Sequence, residues 1–266
     1  MSTPAVALSI AGFDPGSGAG ITADAQTFAS FGLYPTACVT ALTVQSTRGV
    51  FAVEPVAPRV ITETLRRLTE DLPPSVVKIG MLGSAGAVDA IAEFLGDFAT
   101  RPPVVLDPIL VSSSGKTLLS SDGIDRLLSQ LLPVVDCITP NRAELAALAS
   151  MPAGTEADIV DAARELQRLH PRLSVLCTGG DSNPPVDLLL QSRREPIRLI
   201  GERVDSRSTH GTGCAFSSAL ASGLARGSTL EAAAREAKLF VWEALRRAPG
   251  IGHGHGPMDL LWPLRR

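Results

Sequence analysis

The sequence predicts an α/β fold, namely a three-layer α/β/α sandwich with a mostly parallel central sheet and an antiparallel edge. Apolar segments of strand length alternate with segments of helical period along nearly the whole chain, and this order gives parallel strands joined by right-handed crossovers. Aromatic residues are only 4% of the 266 residues although 45% are hydrophobic, so aliphatic side chains must build the core. Such a composition is typical of helices packed on a parallel sheet.

Six apolar runs predict the parallel strands, because each is too short for a helix and is bounded by glycine, proline or polar residues. These runs are 5–11, 35–42, 75–81, 103–108, 134–140 and 173–180. Later in the chain, VDLLLQS and PIRLIGE are separated and flanked by polar turns, and they predict an antiparallel pair within 186–202.

Apolar residues at helical spacing between these runs predict the helices, and Gly32 marks the end of the first one. The helical segments are 21–32, 59–72, 85–98, 122–132, 142–150, 156–169, 213–226 and 229–247. A chain of this length and hydrophobic content can bury one large core, so we expect residues 1–266 to form a single domain.

Charge and cysteine content exclude several classes of function. The net charge is −3 with acidic and basic residues interspersed, which indicates no basic face for nucleic acid. The four cysteines are far apart without a C-x-x-C pair, which argues against a zinc site or a disulfide scaffold. No secretion signal is present, and no apolar run reaches the roughly 18 residues that a membrane span needs. We therefore expect a cytoplasmic protein without membrane or nucleic-acid partners.

The most informative segment is 209–214, Thr-His-Gly-Thr-Gly-Cys, which leads directly into a helical pattern. A turn of small residues that opens into a helix leaves several N–H groups unpaired, and the helix dipole adds about half a positive charge there. Such a site binds anions, phosphate above all, and it also favours the thiolate form of a cysteine such as Cys214. The structural alternative is an ordinary helix start capped by Thr209 or Thr212.

Glycine and polar residues also cluster after the predicted strands, so they share the edge of the sheet where open α/β proteins bind ligands. The clusters are 12–20, 80–83, 107–115, 139–144 and 178–181. The loop 12–22 does not fit a dinucleotide fingerprint, because its spacing is G-x-G-x-G and no acidic residue ends the second strand. It permits close approach of a small substrate, or else is a flexible connection.

Asp107 and Glu144 are carboxylates at this edge, and they predict a site for Mg²⁺, which prefers oxygen ligands and keeps its waters. The spacing from Asn141 to Glu144 equally fits a capping box, in which Glu144 is purely structural. Gln45 and Met81 each follow a strand. They either have only a packing role or line the substrate pocket. The Gln45 amide offers the donor and acceptor that an aminopyrimidine edge requires.

Taken in order, these motifs resemble the ribokinase-like superfamily, and more closely the hydroxymethylpyrimidine and phosphomethylpyrimidine kinases of thiamine synthesis. The resemblance spans nearly the whole chain. Its most specific segments are AGFDPGSGAGITADAQTF (11–28), VTALTVQSTRGV (39–50), KIGML (78–82), VLDPILVSSSG (105–115), ITPNRAEL (138–145) and STHGTGCAFSSALA (208–221).

The resemblance implies an enzyme that uses ATP and Mg²⁺ to phosphorylate 4-amino-5-hydroxymethyl-2-methylpyrimidine, and then its monophosphate to the diphosphate. Backbone amides of Gly211, Thr212 and Gly213 would stabilise the transferred phosphoryl group, and Cys214 would take the alcohol proton. The implied pyrimidine pocket consists of Gly12, Ala19, Asp24, Val44, Gln45, Met81 and Val111. The implied nucleotide site consists of Asn141, Thr178, Gly180 and Thr209, with Asp107 and Glu144 for the metal.

Two positions depart from the pattern of these kinases, which have lysine at Ser113 and often at Thr178. A lost lysine removes a donor to phosphate, and Lys116 is a candidate replacement for the first. His253 and His255, in a glycine-rich tail, predict a mobile cover over the site.

Three alternative functions remain open at this point. A pyridoxine or pyridoxal kinase is the nearest, because its substrate also carries a hydroxymethyl group on a nitrogen heterocycle. A non-catalytic pyrimidine-binding protein is the second. A thiol hydrolase would need a histidine paired with Cys214, and His210 is the nearest in sequence. We also expect a homodimer, because relatives are often dimeric and an antiparallel edge at 186–202 is a natural pairing surface.

Overall fold

The computed structural model describes residues 3–112, 115–180 and 182–265. Within these ranges the strands are β1 (Val6–Phe13), β2 (Tyr34–Ser46), β3 (Gly49–Pro55), β4 (Val76–Ile79), β5 (Val104–Leu106), β6 (Cys137–Ile138), β7 (Ser174–Cys177), β8 (Val186–Leu190) and β9 (Ile197–Ile200). The α-helices are α1 (Gly20–Ser30), α2 (Pro58–Asp71), α3 (Ala85–Gly96), α4 (Ser121–Arg126), α5 (Arg142–Ala149), α6 (Glu156–Leu169), α7 (Thr212–Ala225) and α8 (Leu230–Arg246).

These strands form one sheet in the order β3-β2-β1-β4-β5-β6-β7-β8-β9. The central strands β2, β1, β4, β5, β6 and β7 are parallel. At one end, β8 and β9 form the antiparallel edge that the sequence predicts within 186–202. The predicted α/β/α sandwich is confirmed.

Helices cover both faces of the sheet because neighbouring strand residues point to opposite sides. Leu8 and Ile10 of β1 pack in the core that includes residues of α2 to α6, whereas Ala7 packs with residues of α1, α7 and α8. Helix α7 is buried without interruption from Cys214 to Gly223, which its Ala, Ser and Gly content allows. The described helices include none with the length and apolar character required to span a lipid bilayer.

The structure differs from the predicted elements in two places. Strand β3 is unpredicted and pairs antiparallel with the distal part of β2, which continues past residue 42 to Ser46. Leu42 and Val44 are exposed there, so this hairpin lacks the core periodicity that would mark it. The predicted helix 122–132 is α-helical only to Arg126. It continues as a π-helical turn over Leu127–Leu131 and then as a 3-10 turn over Leu132–Val134, which contains Pro133.

Candidate active site

Helix α7 begins at the carboxyl edge of the sheet, and no side chain caps its first turn. Gly211, which precedes the helix, has a φ of 78°, a left-handed conformation that favours glycine. A β-carbon there would overlap the carbonyl of Gly18. Since Gly211 has no capping side chain and the hydroxyl of Thr209 contacts His255 instead, the first N–H groups of α7 are available to a ligand. The helix dipole makes this position attractive to an anion.

Asp14 joins the glycine-rich loop to this turn. Its carboxylate accepts hydrogen bonds from the backbone N–H groups of Gly16, Gly18 and Ala19 at 2.7, 3.2 and 2.9 Å. Its Oδ2 also lies 2.8 Å from Nε2 of His210. Burial opposes the charged form, but the bonds from His210 and the backbone outweigh it and lower the pKa of Asp14. The two loops are therefore held as one unit.

The orientation of His210 bears on the thiol hydrolase alternative. That function requires an imidazole beside the thiol of Cys214, whereas the Nε2 atom of His210 binds Asp14. The pair that a thiol hydrolase would need is therefore not formed by this histidine.

A buried ion pair lies behind the turn. Nζ of Lys78 is 2.9 and 3.0 Å from the two carboxylate oxygens of Asp24, and both side chains have 0% exposure. The hydroxyls of Ser9 and Ser218 donate to the same carboxylate at 2.5 and 2.7 Å. The prediction that Asp24 lines the pyrimidine pocket is wrong, because its oxygens are all directed at interior donors.

Cys214 is packed among these charges, and only 5% of its surface is exposed. Its sulfur accepts a hydrogen bond from the backbone of Gly20, and its thiol contacts the carboxylate of Asp107. Burial, which attraction to Lys78 offsets only in part, raises the pKa of the Cys214 thiol to about 12. The expected thiolate is therefore wrong, since loss of water outweighs the helix dipole at this position.

Asp107 and Glu144 are brought close enough to repel each other. Burial first, and then this repulsion, raises the pKa of Glu144 to about 8. Burial also raises the pKa of Asp107, although attraction to Lys78 opposes it. Two mutually repelling carboxylates fit a divalent cation that binds oxygen and keeps several waters. Across the described ranges no cluster of three or more His, Cys, Asp or Glu forms a complete cage, so other ligands would have to contribute.

Glu144 also has the structural role that the sequence offered as an alternative. The backbone N–H of Asn141 donates to Oε2 of Glu144 at 2.9 Å, and the backbone N–H of Glu144 donates to Oδ1 of Asn141 at 2.9 Å. This capping box begins α5 and is confirmed. It fixes the position of the Glu144 carboxylate at the edge of the sheet.

A cleft of about 740 Å³ opens beside the turn. Its lining contains five of the predicted site residues, namely Thr178, Gly180, Thr209, Thr212 and Gly213. Asn141 lies next to this cleft, since its backbone forms a bridge with Thr178. The structure thus brings most of the predicted nucleotide residues together at the start of α7.

The rest of the cleft was missed by sequence reasoning. One wall is apolar and comes from the β8–β9 edge and α8, with Pro185, Leu199, Ile200, Leu239, Val241 and Trp242. Three cations, Arg203, Arg235 and Lys238, also line it. These segments are distant in sequence and meet only because α8 packs on the sheet. One signal was available, since Asp187 is an acidic residue inside an apolar strand, where it binds Nζ of Lys238 at 2.7 Å.

Among the residues predicted to bind the substrate, Gly12 and Met81 lie close together. A β-carbon at Gly12 would lie 3.1 Å from Sδ of Met81, so a larger residue at this position would have to displace the Met81 side chain. Ala19 lies at the start of α1, where no side chain caps the helix. These three predicted residues therefore surround the loop that Asp14 organises.

The remaining predicted substrate residues lie on two surface segments. Val44 and Gln45 flank an irregularity in the pairing of β2 with β3, and Val44 is 60% exposed. Val111 is 50% exposed and forms an isolated bridge with Thr117. Their roles in binding stay a prediction.

The structure bears differently on Ser113 and Thr178, the two positions where the related kinases have lysine. Ser113 lies outside the described residues, and its candidate replacement Lys116 donates from Nζ to the carbonyl of Phe51 at 2.8 Å. Lys116 thereby fastens its loop to β3. Thr178 lines the cleft without supplying a charge.

The glycine-rich tail lies across the same edge. The backbone N–H groups of His253 and Gly254 approach Oγ1 of Thr47 at 3.2 and 3.3 Å. Nδ1 of His255 is 3.1 Å from Oγ1 of Thr209. The tail therefore joins the β2–β3 turn to the start of α7, which is the place predicted for a cover, while its mobility stays a prediction.

A parallel sheet with an uncapped helix start, a cleft and paired carboxylates at its carboxyl edge defines a phosphotransferase of the ribokinase-like class. The family model described as "Phosphomethylpyrimidine kinase" matches residues 14–259, and the chain belongs to this family. The predicted family and enzyme class are confirmed.

Relatives with assigned names agree. The hydroxymethylpyrimidine/phosphomethylpyrimidine kinase of Rhizobium meliloti (strain 1021) is 39% identical over 259 residues, covering 96% of each chain. The protein of the same name from Haemophilus influenzae is 37% identical over 265 residues, covering 97% of each. The thiamine biosynthesis bifunctional protein ThiED of Geobacter sulfurreducens is 39% identical over 254 residues, which cover 51% of that longer protein.

Solved structures confirm the fold. The phosphomethylpyrimidine kinase of Clostridium difficile 630 has a TM-score of 0.78 at 34% identity, covering 90% of this chain and 99% of that chain. The Staphylococcus aureus pyridoxal kinase in complex with ADP has a TM-score of 0.89 at 25% identity, covering 98% and 94%. The ADP complex of the Bacillus subtilis pyridoxal kinase has a TM-score of 0.88 at 29% identity, covering 97% of each chain.

Proposed function

We propose that this protein transfers the γ-phosphoryl group of ATP to 4-amino-5-hydroxymethyl-2-methylpyrimidine, and then a second phosphoryl group to the monophosphate, giving the diphosphate. The observation that carries the proposal is the uncapped start of α7, which opens into a cleft large enough for a nucleotide. The printed names of the relatives support this choice of substrate, and the ADP complexes of the structural neighbours support ATP as donor.

In the first step the hydroxymethyl oxygen forms a bond to the γ-phosphorus while the bond to ADP breaks. The N–H groups of Thr212 and Gly213 are aimed at the charge that the transferred group carries. The transition state of such transfers is loose, so the alcohol proton leaves late and a weak base is sufficient. Cys214, whose neutral thiol donates a hydrogen bond to the Asp107 carboxylate, is the group we propose to accept it, and it passes its own proton to Asp107 as the alcohol proton arrives. Positioning and charge neutralisation then carry most of the rate.

Mg²⁺ is part of the proposal, and Asp107 and Glu144 are the residues that would hold it, mostly through water. Such an ion supplies positive charge beside the phosphate oxygens. It would also relieve the repulsion that raises the pKa of Glu144. The position of Asp107 and Glu144 is thus suited to a nucleotide that carries Mg²⁺ and less suited to a neutral ligand.

A pyridoxal kinase activity is the second candidate, and one observation favours it. The two pyridoxal kinases superpose with TM-scores of 0.89 and 0.88, against 0.78 for the phosphomethylpyrimidine kinase of Clostridium difficile. Sequence identity favours the pyrimidine, since the named pyrimidine kinases reach 37–39% while these pyridoxal kinases are at 25% and 29%. A pocket that accepts a hydroxymethyl group on either heterocycle is compatible with both.

The deciding experiment measures ADP formation with the pyrimidine alcohol, its monophosphate and pyridoxal, each with ATP and Mg²⁺ and with Mg²⁺ chelated. We expect the highest kcat/KM with the pyrimidine alcohol and conversion of its product to the diphosphate. Turnover of pyridoxal alone would reassign the substrate. Binding of the pyrimidine without ADP formation would support the non-catalytic alternative.

We retain the homodimer as a proposal. The β3 end of the sheet exposes Leu42, Val44 and Phe51 by 52, 60 and 64%, and the β9 end exposes Ile200 by 62%. Either apolar edge offers a pairing surface, and light scattering of the purified protein tests whether two chains associate. A cytoplasmic location likewise stays a prediction.

A further inference from the structure

The cations that line the cleft differ in how far their charge is already neutralised. Nε and Nη2 of Arg235 lie 3.0 and 2.7 Å from Oε1 of Glu231. Nζ of Lys238 lies 2.7 Å from Oδ2 of Asp187, and this pair is mostly buried. Both side chains therefore present a partnered charge to the cleft.

Arg203 is different. Its Nη1 donates to the backbone carbonyl of Gly180 at 3.0 Å and, more weakly, to that of Ser182 at 3.5 Å. Within the described parts of the chain, no carboxylate lies at ion-pair distance from this guanidinium. The carbonyls fix its position, and its positive charge has no carboxylate partner among the described residues.

The position of this tether relates Arg203 to the start of α7. Gly180 belongs to the loop after β7, and it lines the cleft together with Thr178, Thr212 and Gly213. The guanidinium is thus held at the rim of the cleft that Thr212 and Gly213 also line. A planar guanidinium with several donors matches the oxygens of a phosphate chain better than any neutral group on this rim.

We propose that Arg203 binds the phosphate chain of the nucleotide, and that it supplies there the positive charge that Thr178 does not. This inference rests on the proposed use of ATP. Arg203 lies in the connection between β9 and the turn before α7. Neither the composition nor the glycine motifs predicted a ligand-binding residue in this connection.

The test compares nucleotides that share a base and ribose but differ in phosphate number. Calorimetric titration of the wild-type protein and of Arg203→Ala with adenosine, AMP, ADP and a non-hydrolysable ATP analogue gives four affinities for each. We expect Arg203→Ala to change the adenosine affinity by less than about twofold and to weaken ADP and the analogue by about tenfold or more. A matched control is Arg198→Ala, since Arg198 lies on β9, pairs with Glu156 at 3.0 Å and does not line the cleft.

Two results would overturn the inference. Equal losses for adenosine and for ADP would mean that Arg203 only shapes the loop, and no loss for any nucleotide would mean that it has no role in binding. Thermal melting shows whether Arg203→Ala is folded. If it is not, Arg203→Lys, which keeps the charge and loses the planar fork, is expected to lower ADP affinity more than adenosine affinity.

A rescue experiment separates charge from structure. Thr178→Lys places an ammonium on the same rim, and in the Arg203→Ala background we expect it to recover several-fold of the lost ADP affinity. Failure of the wild-type protein to bind ADP or to use ATP would instead refute the proposed function itself. Normal wild-type binding with an unaffected Arg203→Ala variant would refute only the role of Arg203.

Discussion

Oδ2 of Asp14 lies 2.8 Å from Nε2 of His210, and this contact joins two glycine-rich loops that are 196 residues apart in the chain. The same carboxylate holds three backbone N–H groups of the first loop. His210 directly precedes Gly211, whose α-carbon packs against Gly18. The geometry of the proposed phosphate turn therefore depends on an ionised side chain in the other loop.

We expect Asp14→Asn to lower the free energy of unfolding by about 2 to 3 kcal/mol at neutral pH, because an amide replaces a charged acceptor of several bonds. The pKa of Asp14 is lowered in the folded protein from its ordinary 3.8, so its stabilisation is complete above that value. The stabilisation is lost as the pH falls through the lowered folded value. Urea unfolding of both proteins, at neutral pH and well below 3.8, checks this. The difference in unfolding free energy between the two proteins should shrink in acid. A difference that widens would contradict the stabilising role of the ionised Asp14.

Replacing the buried thiol should affect chemistry more than nucleotide binding. We expect Cys214→Ala to lower kcat by about 100-fold and to change ADP affinity by less than about twofold, since the thiol is not part of the cleft lining. Steady-state kinetics and calorimetry measure the two effects. As a check on burial, iodoacetamide should leave Cys214 of the wild-type protein largely unmodified at neutral pH, given its pKa of about 12. An unchanged kcat would remove Cys214 from the mechanism.

A side chain at Gly213 should block phosphoryl transfer without unfolding the protein. A β-carbon at this position would lie 3.7 Å from Oδ2 of Asp107, so it fits against the protein but fills space in the cleft. We expect Gly213→Val to reduce kcat/KM at least about 1000-fold with an unchanged circular dichroism spectrum. Gly96→Val is the control, because a β-carbon at Gly96 meets no atom within 4 Å. Near-normal turnover of Gly213→Val would exclude phosphate from this turn.

The buried ion pair should matter for stability in a non-additive way. Lys78→Met leaves the Asp24 carboxylate buried without its cation, and we expect a loss of about 3 to 5 kcal/mol in unfolding free energy. Lys78→Met with Asp24→Leu removes both charges and should recover part of that loss. Guanidinium unfolding of the single and double variants measures the coupling. Additive losses would show that the two side chains do not interact.

The amide of Gln45 is predicted to recognise the pyrimidine. We expect Gln45→Ala to raise KM for the pyrimidine alcohol by about tenfold or more, because two hydrogen bonds to the ring are lost. The KM for ATP should change by less than about twofold, since Gln45 is not part of the cleft lining. Steady-state kinetics with each substrate varied in turn decide the matter, and equal increases in both KM values would remove Gln45 from the pocket.

Much of the fold could be predicted from local pattern. The alternation of apolar runs and helical segments predicted the order of most elements, and among the described strands and α-helices only β3 was not predicted. That strand continues a hairpin beyond the core, with Leu42, Val44 and Phe51 exposed, so no burial pattern marks it. The order of the strands in the sheet was not predicted, because crossover connections set it and no single residue does.

The candidate site divides in a similar way. Glycine spacing and the sequence 209–214 indicated the proposed phosphate turn, because the backbone geometry of such a turn requires those residues locally. The environment of Cys214 and Asp24 did not follow from spacing. Lys78 was a visible clue, since it stands alone in an apolar strand, but its partner lies on a helix more than fifty residues earlier.

The sequence by itself determined the alternation of elements, the turn of small residues before α7 and the family, because these depend on residues close together in the chain. Only the tertiary structure decided that Cys214 is neutral, that Asp24 faces the interior, and that Arg203 lines the cleft without a carboxylate partner among the described residues. Those properties depend on burial and on partners brought from distant segments, and no local pattern specifies either one.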